Sequence, residues 1–134
     1  MKYMLLVYRD EYALSETEQQ ECYGESAQLA RDLNRSSQYI DASPLQRTST
    51  ATSVRLRNGK RIVTDGPFAE TREQLGGYYL VDVKDLDEAI DIAFRVPVAR
   101  IGTIEIRPVQ EIPGLHSEEP IPEPRSALGS PSKS

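Results

Sequence analysis

The side chains best suited to chemistry are concentrated in residues 65–79, which read DGPFAETREQLGGYY. Asp65 precedes a Gly-Pro turn, and an aspartate held by such a turn at a cleft mouth can act as a general base or as a hydrogen-bond anchor. Arg72 can grip a carboxylate through two parallel hydrogen bonds, and Phe68 and Tyr78 can supply aromatic contacts. The stretch predicts a site for a small polar or carboxylated molecule in a cleft near Asp65.

The same stretch also has a purely structural interpretation. Asp65 can hold a turn by accepting hydrogen bonds from backbone amides, while Phe68 fills the core. Arg72 can form a local ion pair in a solvated loop, which contributes about 0–1 kcal/mol. Gly76 and Gly77 do not have the spacing of a dinucleotide or phosphate loop, and they favour a bulge before the following strand.

A second group of candidate residues lies close to the end of the core sequence. Glu105 and Arg107 are two residues apart on a strand and therefore share one face. If that face meets a partner sheet, they form either an ion pair across a dimer or a carboxylate base with a cationic anchor. Arg100 is a further candidate anchor for an anion. Tyr8, on the first strand, belongs to the core, to an interface or to a pocket lining.

The composition restricts the chemistry further. Cys22 is the only cysteine and His116 the only histidine, and His116 lies in the tail. This excludes an intrachain disulfide, a His/Cys metal site and a histidine-assisted nucleophile within the domain. No pattern indicates heme, flavin or nicotinamide. Catalysis, if present, would be cofactor-free lyase or isomerase chemistry, with Asp65 or Glu105 as the base and an arginine stabilising negative charge.

Net charge and hydropathy bear on nucleic-acid binding, membrane insertion and cellular location. The net charge is −5 and no run of Lys or Arg occurs, which disfavours nucleic-acid binding. No apolar run approaches the ~18 residues of a membrane span. The apolar opening is too short for a signal sequence, so a cytoplasmic location is expected.

Hydrophobic periodicity predicts a core domain over residues 1–111 and a Pro/Ser-rich tail over residues 112–134, expected to be extended or disordered. Ser15 with Glu18 is a capping box that starts the first helix, Asp85 starts the second, and Pro97 ends it. Asn58-Gly59 predicts a hairpin turn and leaves two registers open, with Val54 opposite either Val63 or Ile62. Predicted strands are residues 2–8, 38–45, 52–57, 60–64, 77–83 and 102–109, the first helix spans residues 16–34, and residues 46–50 are expected to be loop.

The apolar positions of these elements predict their faces. Strand 2–8 is apolar on both faces, which suits a central strand, and residues 9–11 end it. Neighbours Tyr78 and Tyr79 point to opposite sheet faces, so one of them is expected in the core. On the last strand, Ile104 and Ile106 share one face. The second helix has a predicted apolar stripe of Leu86, Ala89, Ile90, Ala93 and Phe94.

The predicted order is β-α-β-β-β-α-β when the two strands of the central hairpin, residues 52–57 and 60–64, are counted as one β unit. A helix after the first strand and another before the last is typical of an α+β, ferredoxin-like fold with two helices on one face of an antiparallel sheet. The opposite sheet face then needs a cover, and no further helix is available. We therefore expect a homodimer joined through the sheet faces.

Residues 64–80, TDGPFAETREQLGGYYL, resemble the signature of the DGPF-domain proteins, a branch of the YCII-related superfamily. Residues 1–8, 81–89 and 102–109 are similar to other parts of that family, so the resemblance covers residues 1–110. It implies a dimeric α+β barrel. It also implies two functional classes: enzymes of dehydrochlorinase or isomerase type that use a His–Asp pair, and regulatory proteins associated with alternative sigma factors. This chain has Ile101 where relatives carry histidine, which disfavours the His–Asp mechanism.

Overall fold

The computed structural model describes residues 1–115 and 118–121 and contains a four-stranded antiparallel sheet. The strand order is β2-β5-β1-β6, with the first strand in the interior as its apolar sequence predicts. The strands are β1 (Lys2–Arg9), β2 (Tyr39–Pro44), β5 (Gln74–Asp82) and β6 (Thr103–Pro108). Two helices, α1 (Glu16–Arg35) and α2 (Leu86–Arg95), connect them in a βαββαβ order that is consistent with the predicted ferredoxin-like fold.

The hydrophobic core lies between this sheet and both helices. Alternate residues of β1 and β5, including Leu5 and Val81, face α1 and α2 and are fully buried, and Leu33 of α1 packs against them. On β6, Ile104 and Ile106 pack against the same cluster, as the predicted alternation requires. Both helices therefore cover the same sheet face.

The N-terminus of α1 has the predicted capping box. The Ser15 hydroxyl accepts from the Glu18 backbone N–H at 3.1 Å, and the Glu18 carboxylate accepts from the Ser15 backbone N–H at 2.9 Å. The hydrogen bond from the Ser15 backbone holds the pKa of Glu18 below its usual value. At α2, the Asp85 side chain accepts from the backbone N–H of Glu88 at 3.0 Å.

The stripe predicted for α2 is partly wrong. Ala89 and Ala93 are buried as expected, but Ile92 takes the central core position. Phe94, expected in the core, is 79% exposed, and Leu86 is also exposed. Ile92 and Phe94 are about 200° apart around a helix of 3.6 residues per turn. The rotation of α2 that buries one of them therefore exposes the other.

The Asn58-Gly59 turn forms a separate hairpin between β3 (Thr52–Arg57) and β4 (Lys60–Asp65). Both turn residues have positive φ, 53° and 74°, which is the geometry of a two-residue hairpin turn. Val54 pairs with Val63, so the two-residue register is the correct one of the two predicted. Every residue of β4 is exposed.

Two predicted boundaries differ from the structure. β5 begins at Gln74 rather than at Gly77, and the bulge expected before it lies inside it: Val7 pairs with Gly77 and Tyr8 with Leu75, which leaves Gly76 as the extra residue. Residues 46–50, expected to be loop, contain a 3-10 helix at Thr48–Thr50. The predicted tail is described only at residues 112–115 and 118–121, which have no helix or strand; His116 and the rest of the tail lie outside the described residues.

In the described ranges, no helix has both the length and the apolar character required to cross a bilayer.

Candidate functional site

A cavity of about 360 Å³ lies between α1 and the sheet. The helix contributes Cys22, Tyr23, Ser26, Ala27 and Ala30, whose spacing of three and four places them on one helix face. The sheet side includes Val7 and Arg9 of β1, Ala42 and Pro44 of β2, and Gly76, Gly77 and Tyr79 of β5. The small helix residues leave space above the sheet, and most of the wall is apolar.

A second cavity, of about 330 Å³, lies beside the first and shares Arg9, Tyr23 and Gly76 with it. Its remaining wall comes from Gln19 of α1, from Glu11, from Gln74 of β5 and from the segment after β2, which contributes Leu45, Gln46, Arg47, Ser49 and Thr50. Arg9 thus lies where an apolar compartment and a more polar one meet.

Two buried polar atoms at this junction have no hydrogen-bond partner among the described residues: Arg9 Nη1 and Gln19 Oε1. The other side-chain polar atom of Gln19, Nε2, donates to the hydroxyl of Tyr23 at 2.9 Å. Buried polar groups are normally paired, and each unpaired one needs an explanation. Arg9 Nη1 is a donor on a permanent cation and Gln19 Oε1 is an acceptor, so a ligand that pairs with both needs an acceptor group and a donor group.

Glu11 shapes the wall of the second cavity. Its carboxylate accepts from the backbone N–H of Thr48 at 2.5 Å and from the Thr48 hydroxyl at 2.8 Å. It is 7% exposed and is the buried charged residue of the described chain. These bonds hold the 3-10 helix after β2 against the end of β1. Sequence reasoning treated Glu11 only as the end of a strand.

Two ionisable groups in the first cavity are affected by burial. Burial raises the pKa of the Cys22 thiol above its ordinary value, and the Arg9 and Arg100 cations oppose that shift. Burial also raises the pKa of Tyr79, whose hydroxyl donates to the Ser26 carbonyl at 3.3 Å. Both groups are therefore held in their neutral forms, which suits an apolar wall.

Asp65 and its neighbours lie elsewhere. Asp65 is the exposed last residue of β4, pairs with Thr52 across the hairpin, and lines neither cavity. Phe68 is 79% exposed, so the core role considered for it is wrong. Arg72 is also exposed and forms no ion pair with any residue that the structure describes. The binding and catalytic roles of these three residues stay predictions.

The predicted tyrosines lie at different places on the sheet. Tyr78 lines the first cavity, and its hydroxyl donates to Asp41 Oδ2 at 2.6 Å. That bond to a carboxylate raises the pKa of Tyr78. Tyr8 is half-buried and lies on the sheet face opposite the helices, between Leu75 and Thr103. As predicted, neighbours Tyr78 and Tyr79 face opposite sides, and Tyr79 is the core residue.

Glu105 and Arg107 share the outer sheet face, as predicted from their spacing, with 3.9 Å between Oε2 and Nη1. Both side chains are exposed in the single chain. Arg100 donates to Glu25 Oε2 at 2.7 Å on the surface and lines neither cavity. Of the predicted site residues, the structure places Tyr78 at the cavity wall, with its side chain on the sheet face opposite the helices. It adds Arg9, Gln19, Cys22 and Tyr23, which sequence reasoning did not assign.

A stripe of small residues beside Cys22 and Tyr23 on α1 was the one sequence signal for this cavity, because small side chains on an inward face leave space. Within residues 1–115 and 118–121, no group of three or more His, Cys, Asp or Glu residues is arranged to hold a metal ion.

Comparison with known proteins identifies the family. The chain is 39% identical over 118 residues to an uncharacterized protein of Rhizobium meliloti (strain 1021), an alignment that covers 81% of this chain and 92% of the relative. Residues 1–113 match the family model described as the YCII-related domain. That match covers both helices and all six strands, so this chain belongs to the YCII-related family.

Proposed function

We propose that this protein binds a small polar or carboxylated metabolite whose apolar body occupies the cavity between α1 and the sheet. The observation that supports this proposal is the cavity, which has a volume of about 360 Å³, is mostly apolar and has Arg9 on its wall. Small-molecule sites are concave, mostly apolar, and contain a few placed polar groups. This proposal moves the binding site from the surroundings of Asp65 to the face of α1.

Cys22 gives a direct test, because it is the only cysteine in the chain and lines the cavity. We expect a bound ligand to slow alkylation of Cys22 by iodoacetamide. Ala27→Trp places an indole on the cavity wall and should slow the reaction without any ligand. Gln28→Trp, at the next position of the same helix but outside the cavity lining, is the matched control and should react like the unmodified protein.

The measurement is the alkylation rate by mass spectrometry, with a library of small carboxylic acids, amides and phenols. The proposal fails if no compound slows the reaction and Ala27→Trp reacts as fast as Gln28→Trp.

A catalytic role for this protein rests on the predicted bases Asp65 and Glu105, whose chemistry would be cofactor-free proton abstraction. Asp65 lines neither cavity, so binding and catalysis can be separated experimentally. Asp65→Asn should leave Cys22 protection by a ligand unchanged. If it also leaves turnover of that ligand unchanged, Asp65 is not the base.

The homodimer is proposed through the sheet face opposite the helices. Met4, Leu6 and Leu80 are half-buried on that face, with Glu105 and Arg107 on its edge strand. A second copy facing this surface would cover the apolar residues and allow each exposed Glu105 to meet a partner arginine. Leu6→Asp should convert the dimer to a monomer in sedimentation experiments, and an unmodified chain that sediments as a monomer refutes the proposal.

A protein-interaction role is the second candidate, and the hairpin favours it. Val54, Leu56 and Val63 share one face of the hairpin and are all strongly exposed, and Phe68 follows nearby. Exposed apolar patches mark interaction surfaces. An alternative sigma factor is the partner that the DGPF resemblance implies. We expect Val63→Asp to weaken binding to such a factor in surface-based assays; unchanged binding would exclude the hairpin, and no binding would exclude this partner. The assignment to the DGPF branch of the family and the cytoplasmic location also stay predictions from the sequence.

A further inference from the structure

We propose that the site selects small 2-hydroxycarboxylic acids with an apolar side chain, the head group being held between Arg9 and Gln19. This inference rests on the proposed function, namely that a small molecule occupies the cavity, and it adds the chemical class. The carboxylate would accept from Arg9, and the neighbouring hydroxyl would donate to Gln19 Oε1.

The Arg9 cation has no acidic partner among the described residues. None of the ion pairs within the described chain includes it, and its Nη1 is buried without an acceptor. A guanidinium is always charged and can bind a carboxylate through two parallel bonds. Leaving one of its donors buried and unpaired is unfavourable, so pairing of this donor with an anionic ligand would be favoured.

Two carboxylates near this region have other hydrogen-bond or ion-pair partners. Glu11, on the second cavity, accepts both donors of Thr48. Glu25, one of the charges acting on Cys22, is paired with Arg100 at 2.7 Å. Neither forms an ion pair with Arg9, so Arg9 Nη1 is open to an acceptor on a ligand.

Gly76 lies beside Arg9 on the wall that the two cavities share. A side chain built on this bulged residue would place its first carbon 3.9 Å from Arg9 Nε, which is an ordinary van der Waals contact. Arg9 lines both cavities, so a head group held by it can have its apolar body in the first cavity.

Gln19 supplies the second half of the selection. Its Nε2 donates to the Tyr23 hydroxyl at 2.9 Å, and in this arrangement Oε1 is the acceptor without a partner. A ligand that meets both residues needs an anion and a donor. A hydroxyl fits this need better than an ammonium group, because a second cation beside Arg9 would be repelled.

The test uses the full chain and three probes that share one apolar body: 3-phenyllactate, 3-phenylpropanoate and 3-phenylpropan-1-ol. Isothermal titration should give affinities in that order. We expect Arg9→Met to weaken the two acids by about 10- to 100-fold and to leave the alcohol unchanged, because bonds to a charged group are the stronger ones. Gln19→Leu should weaken only phenyllactate, by about 2- to 10-fold.

Two control variants carry the same types of substitution, Arg to Met and Gln to Leu, at positions outside the cavities. Arg95→Met removes an exposed arginine of α2, and Gln20→Leu removes an exposed glutamine of α1, and neither residue lines a cavity. Both should bind all three probes as the unmodified protein does. Cys22 alkylation with each probe reports whether binding is at this site.

The outcomes separate the two proposals. If the alcohol binds and protects Cys22 but the acids bind no more tightly, the assignment to Arg9 is wrong and the cavity remains a binding site. If phenyllactate binds no more tightly than phenylpropanoate, the role of Gln19 is wrong. If none of the probes binds or protects Cys22 at millimolar concentration, this inference is overturned, and the proposed function is then decided separately by the broader alkylation library.

Discussion

We expect the buried Glu11 to contribute more to the stability of the fold than exposed charged residues do, because it joins three segments that are far apart in sequence. Its carboxylate accepts two hydrogen bonds from Thr48, and its backbone N–H donates to Gln74 Oε1 at 3.1 Å. Thr48 begins the 3-10 helix that leads from β2 to the hairpin. Glu11→Ala removes both acceptors and leaves the Thr48 N–H without its partner.

The expected magnitude follows from the type of bond. A hydrogen bond to a charged group contributes about 1.5–3 kcal/mol, and an orphaned buried donor costs about 1–3 kcal/mol. Because the two bonds share one carboxylate, they are not additive, and we expect Glu11→Ala to reduce the free energy of unfolding by about 3 kcal/mol. Glu11→Gln keeps an acceptor for the N–H and a donor toward the hydroxyl, so its loss should be about 1 kcal/mol. Thr48→Val removes the hydroxyl alone and should also lose about 1 kcal/mol.

Urea unfolding followed by circular dichroism measures these differences, with equal m-values as the check that the unfolded state is unchanged. Asp10→Ala is the matched control: Asp10 is an exposed neighbouring carboxylate whose Oδ1 accepts from the Tyr12 N–H at 2.9 Å. Its loss should stay within about 0.5 kcal/mol. The reasoning is refuted if Glu11→Ala is as mild as Asp10→Ala, or if Glu11→Gln is as damaging as Glu11→Ala.

Three further predictions address packing and pH. Gly102→Ala would put a carbon 2.1 Å from the Tyr8 carbonyl oxygen and should lower the free energy of unfolding by about 2–3 kcal/mol. Gly24→Ala, which has open space around it in α1, should raise the free energy of unfolding by about 0.5–1 kcal/mol. Thermal unfolding of the two variants distinguishes a loss of stability from a gain. Phe94→Gln should change stability by less than about 0.5 kcal/mol, and a core-sized loss would show that α2 is rotated. Because burial raises the pKa of both Cys22 and Tyr79, the folded state keeps their protons longer than the unfolded state. Their contribution to stability should be constant below about pH 8 and be lost as pH rises beyond their ordinary values. In urea titrations at each pH above about 8, a Cys22→Ala, Tyr79→Phe double variant should show a smaller fall in stability.

The elements that sequence predicted correctly are those whose signals are local. The capping box at Ser15 and the positive-φ turn at Asn58-Gly59 depend on residues within a few positions of each other, and both occur where expected. The interior position of β1 followed from apolar residues on both faces, and the alternation on β6 gave its faces correctly.

Errors arose where a local pattern fitted two arrangements. Around α2, both Ile92 and Phe94 are compatible with a helical apolar stripe, and only the contact with the sheet decides which one is buried. The glycines before β5 indicated a bulge, but the start of the strand depended on pairing of Gln74 and Leu75 with β1, a contact more than sixty residues away.

The candidate site was beyond sequence reasoning for a stronger reason. What distinguishes Arg9 from Arg100 is whether an acceptor is present, and that property belongs to its surroundings. Glu25 is taken by Arg100 across seventy-five positions, and Glu11, only two residues from Arg9, is taken by Thr48. Each of those pairings is ordinary, but together they leave one buried donor unmatched beside an apolar cavity. In this family member the proposed binding site therefore depends on which acceptors other residues have already engaged, and a motif of adjacent residues carries no information about that.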